Sequence, residues 1–133
     1  MNVITVMIDS LRPDHIGLNG KKKMHTPHLD KFGKQSVRFN NAFPESLATI
    51  PVRKALWNGK RDFPFWDWKP WRQAQVPGWN PLPEKPDTVA EILKDEGWTT
   101  ALLTDTYHLF KPDMNFHRGF KEYRWFRGQE HDF

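Results

Sequence analysis

The feature that most constrains the fold is a run of apolar residues near the start of the chain, Val3–Ile8, which ends at a carboxylate, Asp9. Short apolar runs rich in β-branched residues are typical of buried strands in parallel sheets. The sequence Arg12-Pro13-Asp14 then turns the chain. We therefore predict a strand over residues 3–9. Ligands of open α/β sheets bind at the carboxyl ends of the strands, so Asp9 is a candidate ligand for a metal ion or an anionic ester.

The composition limits the class of protein. The chain has 133 residues, 38% of them hydrophobic, which is enough for one domain or a part of one. It has no apolar stretch of about 20 residues, so we predict no transmembrane helix and no membrane partner. The net charge of +4 favours anionic ligands without indicating nucleic acid. Cysteine is absent, which excludes disulfides and thiolate metal sites. With no secretory signal before the first strand, we expect a cytoplasmic protein.

Capping residues predict three helices. The first begins at Thr26-Pro27, and the second begins around Pro51 and stops near Asn58-Gly59. The third follows Asp87-Thr88 and ends at Gly97. Strands are predicted near residues 37–42 and at 99–104. This order predicts an α/β fold with a mostly parallel sheet flanked by helices.

Residues 62–83 differ from the rest because tryptophan and proline alternate closely there. Proline at this density prevents a long helix or a central strand. We predict a long aromatic loop, and loops of this length tend to be functional or to cover another part of a protein. Two roles stay open: a wall on which sugars stack, and packing against a further part of the protein.

Polar side chains are expected to converge at one edge of the sheet. Asp9 ends the first strand, His108 follows the last, and Thr49 precedes the second helix. A hydroxyl at a helix N-terminus lies at the positive end of the helix dipole, which stabilises an alkoxide or a tetrahedral anion. Arg53, four residues after Thr49, faces the same side and could clamp an oxyanion.

Six short motifs follow one another along the chain: Asp9-Ser10-Leu11-Arg12-Pro13-Asp14-His15-Ile16-Gly17, Thr26-Pro27-His28-Leu29-Asp30, Thr49-Ile50-Pro51-Val52-Arg53, Tyr107-His108-Leu109, Arg118-Gly119-Phe120 and Arg127-Gly128-Gln129-Glu130. Each motif is weak alone, but their ordered combination covers nearly the whole chain. Together they resemble the sulfatases of the alkaline phosphatase superfamily.

The resemblance implies a metal-dependent hydrolase of sulfuric esters or related phosphate esters. It implies a divalent metal ion held by Asp9 and Thr49, with Ca²⁺, Mg²⁺ or Mn²⁺ suited to oxygen ligands and Zn²⁺ as an alternative. Thr49 is the implied nucleophile, Arg53 positions it, and His108 contacts the ester or the leaving group. The implied substrate is a small-molecule or glycan ester.

Several residues depart from the family pattern. Ser10 stands where many sulfatases have a second aspartate, Val52 replaces a serine and Thr106 a lysine. The nucleophile position holds Thr49, so formylglycine cannot arise there from cysteine. Threonine nucleophiles occur in phosphodiesterases and phosphotransferases of the superfamily, which makes phosphoryl chemistry the alternative activity.

The resemblance further implies that residues 1–133 are the N-terminal part of a sulfatase-like catalytic domain. We expect the remaining metal ligands in a later portion, and association with that portion or with a second copy. Plainer roles stay open for each site residue: a turn cap through Arg12 for Asp9, an N-cap for Thr49, a surface position for Arg53 and a structural role for His108. Arg12 and Asp14 are interpreted as a turn lock that takes no part in the chemistry. A non-catalytic glycan-binding module is the alternative function from another class.

Overall fold

The computed structural model describes residues 1–20, 24–45, 47–61 and 78–128. The chain divides into two units, Met1–Phe43 and Pro44–Phe133, and each is described by itself. Among the described residues, no helix has the length and the apolar character that a transmembrane span requires.

The first unit is built around helix α1, Pro27–Lys34, which confirms the helix predicted after Thr26. Two 3-10 turns, Pro13–His15 and Gly17–Asn19, precede it. Proline at the first helical position has the backbone angle that a helix needs and lacks an N–H that would have no intrahelical partner there.

Hydrogen bonds tie the second turn to the start of α1. The Thr26 hydroxyl accepts from the Gly17 N–H at 2.8 Å and donates to Asp30 Oδ1 at 2.8 Å. The same carboxylate oxygen accepts from the Leu18 N–H at 2.9 Å. A Cβ at Gly17 would lie 2.6 Å from Asp30 Oδ2 and 3.1 Å from the Met24 carbonyl oxygen, so a larger residue would displace this carboxylate. The sulfatase-like motifs at residues 9–17 and 26–30 therefore contact each other through the first of these hydrogen bonds.

Two strands predicted in the first unit are wrong. Residues 3–8 have no regular secondary structure, and Val3, Ile4 and Val6 are 68%, 85% and 75% exposed. The segment 37–42 likewise forms no strand, and Val37 and Phe39 point to solvent. A strand exists only where a neighbour pairs with its backbone, and neither segment has a ladder partner in the part of the chain that the structure describes.

Within its described residues, the second unit contains three helices and two strands. In chain order these are α2 (Thr49–Asn58), α3 (Val89–Asp95), β1 (Ala101–Thr104), α4 (Tyr107–Phe110) and β2 (Glu122–Trp125). A 3-10 turn, Pro112–Met114, follows α4.

Strands β1 and β2 pair in parallel, with Ala101 opposite Glu122 and Thr104 opposite Trp125. The parallel sheet with flanking helices confirms the predicted fold class, and β1 confirms the strand predicted at 99–104. That strand was expected to be buried, but Leu103 is 61% exposed. The difference arises because burial alternates along β1, as it does when one face of a sheet is covered.

Helices α2 and α3 have ends close to those predicted. Helix α2 begins at Thr49, two residues before Pro51, with Ala48 as its N-cap. It ends before Gly59, whose φ of +65° lies in the left-handed region that favours glycine. Helix α3 is capped by Thr88, whose hydroxyl accepts from the Glu91 N–H at 3.1 Å while Glu91 Oε2 accepts from the Thr88 N–H at 2.7 Å.

Replacing Thr88 with alanine is expected to lower the free energy of unfolding by about 1 kcal/mol, because the N-terminal N–H groups of α3 lose a capping acceptor. The side chain is fully buried, so water cannot take its place. Urea unfolding of the variant should show a lower midpoint. Thr99→Ala, at an exposed threonine of the same unit, is the matched control; equal midpoints for the two variants would contradict the role of the cap.

The core of the second unit combines aromatic and aliphatic side chains. Its buried members come from α2, from α4 and from the loops beside them: Ile50, Trp57, Leu82, Leu109, Phe110, Met114 and Phe116. Leu82 is held there by its N–H, which donates to the Met114 carbonyl at 3.0 Å. Leu82 lies in the predicted aromatic loop 62–83, of which residues 62–77 are outside the described residues.

Candidate functional site

One face of α2 carries the predicted nucleophile and its arginine. Thr49 and Arg53 are one helical turn apart, and both are half-buried. The core-facing side is formed by Ile50, Lys54 and Trp57, which are all buried. Residues at i and i+4 are neighbours on a helix surface, so Thr49 and Arg53 lie next to each other, beside this buried set. The structure therefore brings these two predicted site residues together.

Thr49 is the first residue of α2, so its side chain lies at the positive end of the helix dipole. The alternative in which Thr49 is the N-cap is not realised, since Ala48 occupies that position. Alanine has no side-chain acceptor to offer the first N–H groups of the helix. The start of α2 thus has the polarity that favours a bound anion or a developing negative charge.

His108 lies on α4, the short helix that follows β1. The histidine side chain is exposed, while the next two residues, Leu109 and Phe110, are buried and anchor the helix. The Phe110 carbonyl accepts from the Tyr123 hydroxyl of β2 at 2.8 Å. Burial raises the pKa of Tyr123 above its usual value, so the hydroxyl stays protonated and keeps donating. His108 is therefore presented to solvent from a helix held on its other side.

The carboxyl ends of β1 and β2 lie at one edge of the sheet because the strands are parallel. Polar residues follow β1 directly: the Thr106 hydroxyl donates to Asp105 Oδ1 at 3.0 Å. The chain after β2 passes close by, since a Cβ at Gly128 would lie 2.8 Å from the Cβ of Asp105. This edge leads into α4, so His108 follows the strand end as the sequence predicts.

Asp9 belongs to the first unit, whereas Thr49, Arg53 and His108 belong to the second. Asp9 Oδ1 accepts from the Ser10 hydroxyl at 3.2 Å, and Ser10 has a left-handed backbone with φ of 59°. The Arg12 guanidinium holds Asp14 through two bonds of 3.0 and 2.9 Å, which confirms the predicted turn lock between these residues. The convergence of Asp9 with Thr49 stays a prediction.

The described residues supply only some of the ligands that the expected metal ion needs. Asp9 and Ser10 offer carboxylate and hydroxyl oxygens, the donors that hard divalent cations prefer. A calcium ion takes about six to eight oxygen ligands, however. No group of three or more His, Cys, Asp or Glu side chains forms a metal site within the described ranges. Asp9 and Ser10 alone therefore do not complete a metal site.

Two buried side chains anchor α2 through hydrogen bonds, and the sequence motifs include neither of them. Lys54 is 2% exposed, and its ammonium donates to Asn80 Oδ1 at 2.8 Å. Trp57 is also buried, and its indole N–H donates to the Phe116 carbonyl at 2.9 Å. The spacing of Ile50, Lys54 and Trp57 places all three on one helix face, and that spacing is the signal that could have assigned both side chains to the core.

The chain matches the Sulfatase family model over residues 1–131. It is 31% identical over 107 residues to an N-acetylgalactosamine-6-O-sulfatase of Bacteroides thetaiotaomicron, covering 77% of this chain and 19% of that protein. An ulvan-active sulfatase of Formosa agariphila is 31% identical over 100 residues, covering 75% of this chain and 18% of that protein. No solved structure matches the chain.

A human iduronate 2-sulfatase is 24% identical over 110 residues, covering 81% of this chain and 18% of that protein. The chain thus spans less than a fifth of the length of each of these three relatives. These matches concern the family as a whole and do not assign a role to any single side chain.

Proposed function

The chain belongs to the sulfatase family, and from this premise we propose that it forms the N-terminal part of a metal-dependent catalytic domain that hydrolyses sulfuric esters or related phosphate esters. The observation that carries the proposal is the placement of Thr49 and Arg53 on one face at the start of α2. The three relatives named above are all sulfatases, in agreement with this reaction class.

Thr49 acts as the nucleophile in this proposal. Its Oγ attacks sulfur or phosphorus, and a new bond to Oγ forms as the bond to the alkoxide leaving group breaks. Water then attacks the threonine ester, which releases sulfate or phosphate and restores the hydroxyl. The positive end of the α2 dipole stabilises Oγ as it loses its proton. When bound, a divalent cation supplies Lewis acidity and lowers the pKa of a hydroxyl that it contacts.

Arg53 and His108 bind the ester in this scheme. The guanidinium is permanently charged and planar, so it pairs with two oxygens of a sulfuryl or phosphoryl group. His108 is exposed on α4 and can contact the ester or the leaving group. Asp9 contributes a carboxylate to the metal. The substrate is a small-molecule or glycan ester, and the remaining ligands come from a further portion of the polypeptide.

Threonine at position 49 favours one alternative reaction within the family. An unmodified hydroxyl suits phosphoryl transfer, in which the threonine forms a phosphoester that water or another acceptor then cleaves. The second candidate is therefore a phosphodiesterase or phosphotransferase that uses the same residues. The two candidates differ in their substrate and share the requirement for Thr49.

Steady-state assays of the whole protein with 4-nitrophenyl sulfate, 4-nitrophenyl phosphate and bis(4-nitrophenyl) phosphate test the proposal. We expect hydrolysis of at least one ester, its loss with EDTA, and its return with Ca²⁺, Mg²⁺ or Mn²⁺. A preference for the sulfate ester supports the first candidate, and a preference for either phosphate ester supports the second. Absence of hydrolysis of all three, with saturable glycan binding that EDTA does not change, would overturn both.

A further inference from the structure

We propose that Trp57 is a positioning residue that couples α2, which carries Thr49, to α4, which carries His108. This inference rests on the proposed function for its catalytic meaning. It concerns contacts inside the second unit, where both helices lie. None of the sulfatase-like motifs includes Trp57, and Trp57 is not one of the residues proposed to bind the ester.

Trp57 stands at the centre of an aromatic cluster. Its ring packs against Phe110 at 6.1 Å, Phe116 at 5.7 Å and Phe120 at 6.2 Å between ring centroids. The side chain is 6% exposed. Ring contacts, of which one here is stacked and two are edge-to-face, tolerate small displacements, whereas the buried hydrogen bond to the Phe116 carbonyl at 2.9 Å sets a direction and a distance. The indole N–H therefore holds α2 in one register on this cluster.

The other end of the connection is α4. Phe110 is the last residue of that helix and lies two residues after His108. Its ring contacts both Trp57 and Phe116, the latter at 5.4 Å. A shift of Trp57 would displace Phe110, and with it the short helix that presents His108. Lys54, the other buried polar side chain of α2, instead donates to Asn80, ahead of α3.

Two hypotheses about Trp57, a purely structural role and a positioning role, predict different results when the residue is replaced. In the first case, activity falls only as the folded fraction falls. In the second, the relative placement of Thr49 and His108 becomes less precise in a protein that is still folded. Catalysis is sensitive to such changes, since a misplacement of about 1 Å can cost about 100-fold in rate.

Trp57→Phe is the test variant, because it keeps an aromatic ring and removes the N–H. Thr88→Ala is the control for stability, since it removes one buried hydrogen-bonding group on α3. Phe120→Leu is the second control, because it removes one ring contact and leaves the N–H bond to Phe116 in place. Residues 1–133 contain no cysteine, so Leu56→Cys on α2 and Lys111→Cys after α4 give a unique pair of spin labels in the whole protein once any cysteine outside this range is replaced by serine.

Double electron–electron resonance then measures the distance between the two labels. We expect a broader or shifted distribution in Trp57→Phe and an unchanged one in Thr88→Ala and Phe120→Leu. With the unlabelled whole protein, we expect kcat/KM to fall about tenfold or more in Trp57→Phe alone, when the proteins are compared at equal folded fractions.

The outcomes separate the two proposals. If the wild-type protein hydrolyses no ester, the proposed function fails, and the label distances alone decide whether Trp57 couples the helices. An unchanged distribution in Trp57→Phe would overturn the coupling. If Phe120→Leu broadens the distance distribution equally, the coupling of the two helices comes from ring packing and not from the N–H bond, which overturns the proposed role of that bond. Broadening with unchanged kcat/KM would overturn the catalytic role.

Discussion

Replacing Thr49 with alanine is expected to abolish ester hydrolysis by the whole protein. The substitution removes the oxygen that attacks the substrate ester in the proposed mechanism. It leaves α2 intact, because Ala48 is the N-cap and alanine has the highest helix propensity. Loss of a nucleophile typically costs about 1,000-fold or more in kcat. Steady-state rates on the best of the three nitrophenyl esters measure the effect.

Thr49→Ser is the matched control for this substitution, since it keeps a hydroxyl at the start of the helix. We expect it to retain measurable turnover and to unfold at nearly the same urea concentration as the alanine variant. If Thr49→Ala keeps the wild-type rate, the hydroxyl is not the nucleophile and the assignment of the site to α2 is wrong.

Replacing Phe116 with alanine is expected to lower the free energy of unfolding by about 3 to 5 kcal/mol. The Phe116 side chain is completely buried, and its ring lies between Trp57 and Phe110 at 5.7 and 5.4 Å. Truncation removes both ring contacts and opens a cavity that the surrounding aromatic side chains cannot fill. Urea unfolding measured by circular dichroism gives the change in midpoint.

Phe126→Ala provides the comparison, because Phe126 belongs to the same unit and is 52% exposed. We expect its free energy of unfolding to stay within about 0.5 kcal/mol of the wild-type value. Similar losses for the two variants would mean that the aromatic cluster is not the core of the second unit.

Local signals explain which parts of the fold could be predicted from the sequence. Thr88 and Gly97 mark the ends of α3, because capping and the left-handed backbone are properties of a few adjacent residues. Strand β1 was recognisable from its apolar run. Strand β2 could not be predicted because the charged residues Glu122 and Arg124 interrupt any apolar run. Its backbone pairing with β1 defines it as a strand.

Long-range signals explain where prediction failed. The apolar run Val3–Ile8 looks like a strand, but strand formation depends on a partner, which no local pattern specifies. The same distinction applies to the candidate site. The four-residue spacing of Thr49 and Arg53 was enough to place them on one face of α2. The meeting of Asp9 with Thr49 depends on segments forty residues apart in the sequence.

A crystal structure of the whole protein grown with Ca²⁺ or Mg²⁺ tests the central claim most directly. The quantity to measure is the distance from a bound cation to the Asp9 carboxylate and to the Thr49 hydroxyl. We expect both oxygens within about 2.0 to 2.6 Å of one cation, the range of direct coordination. Side chains of Asp9 and Thr49 on opposite sides of the sheet, with no cation between them, would contradict the proposed site.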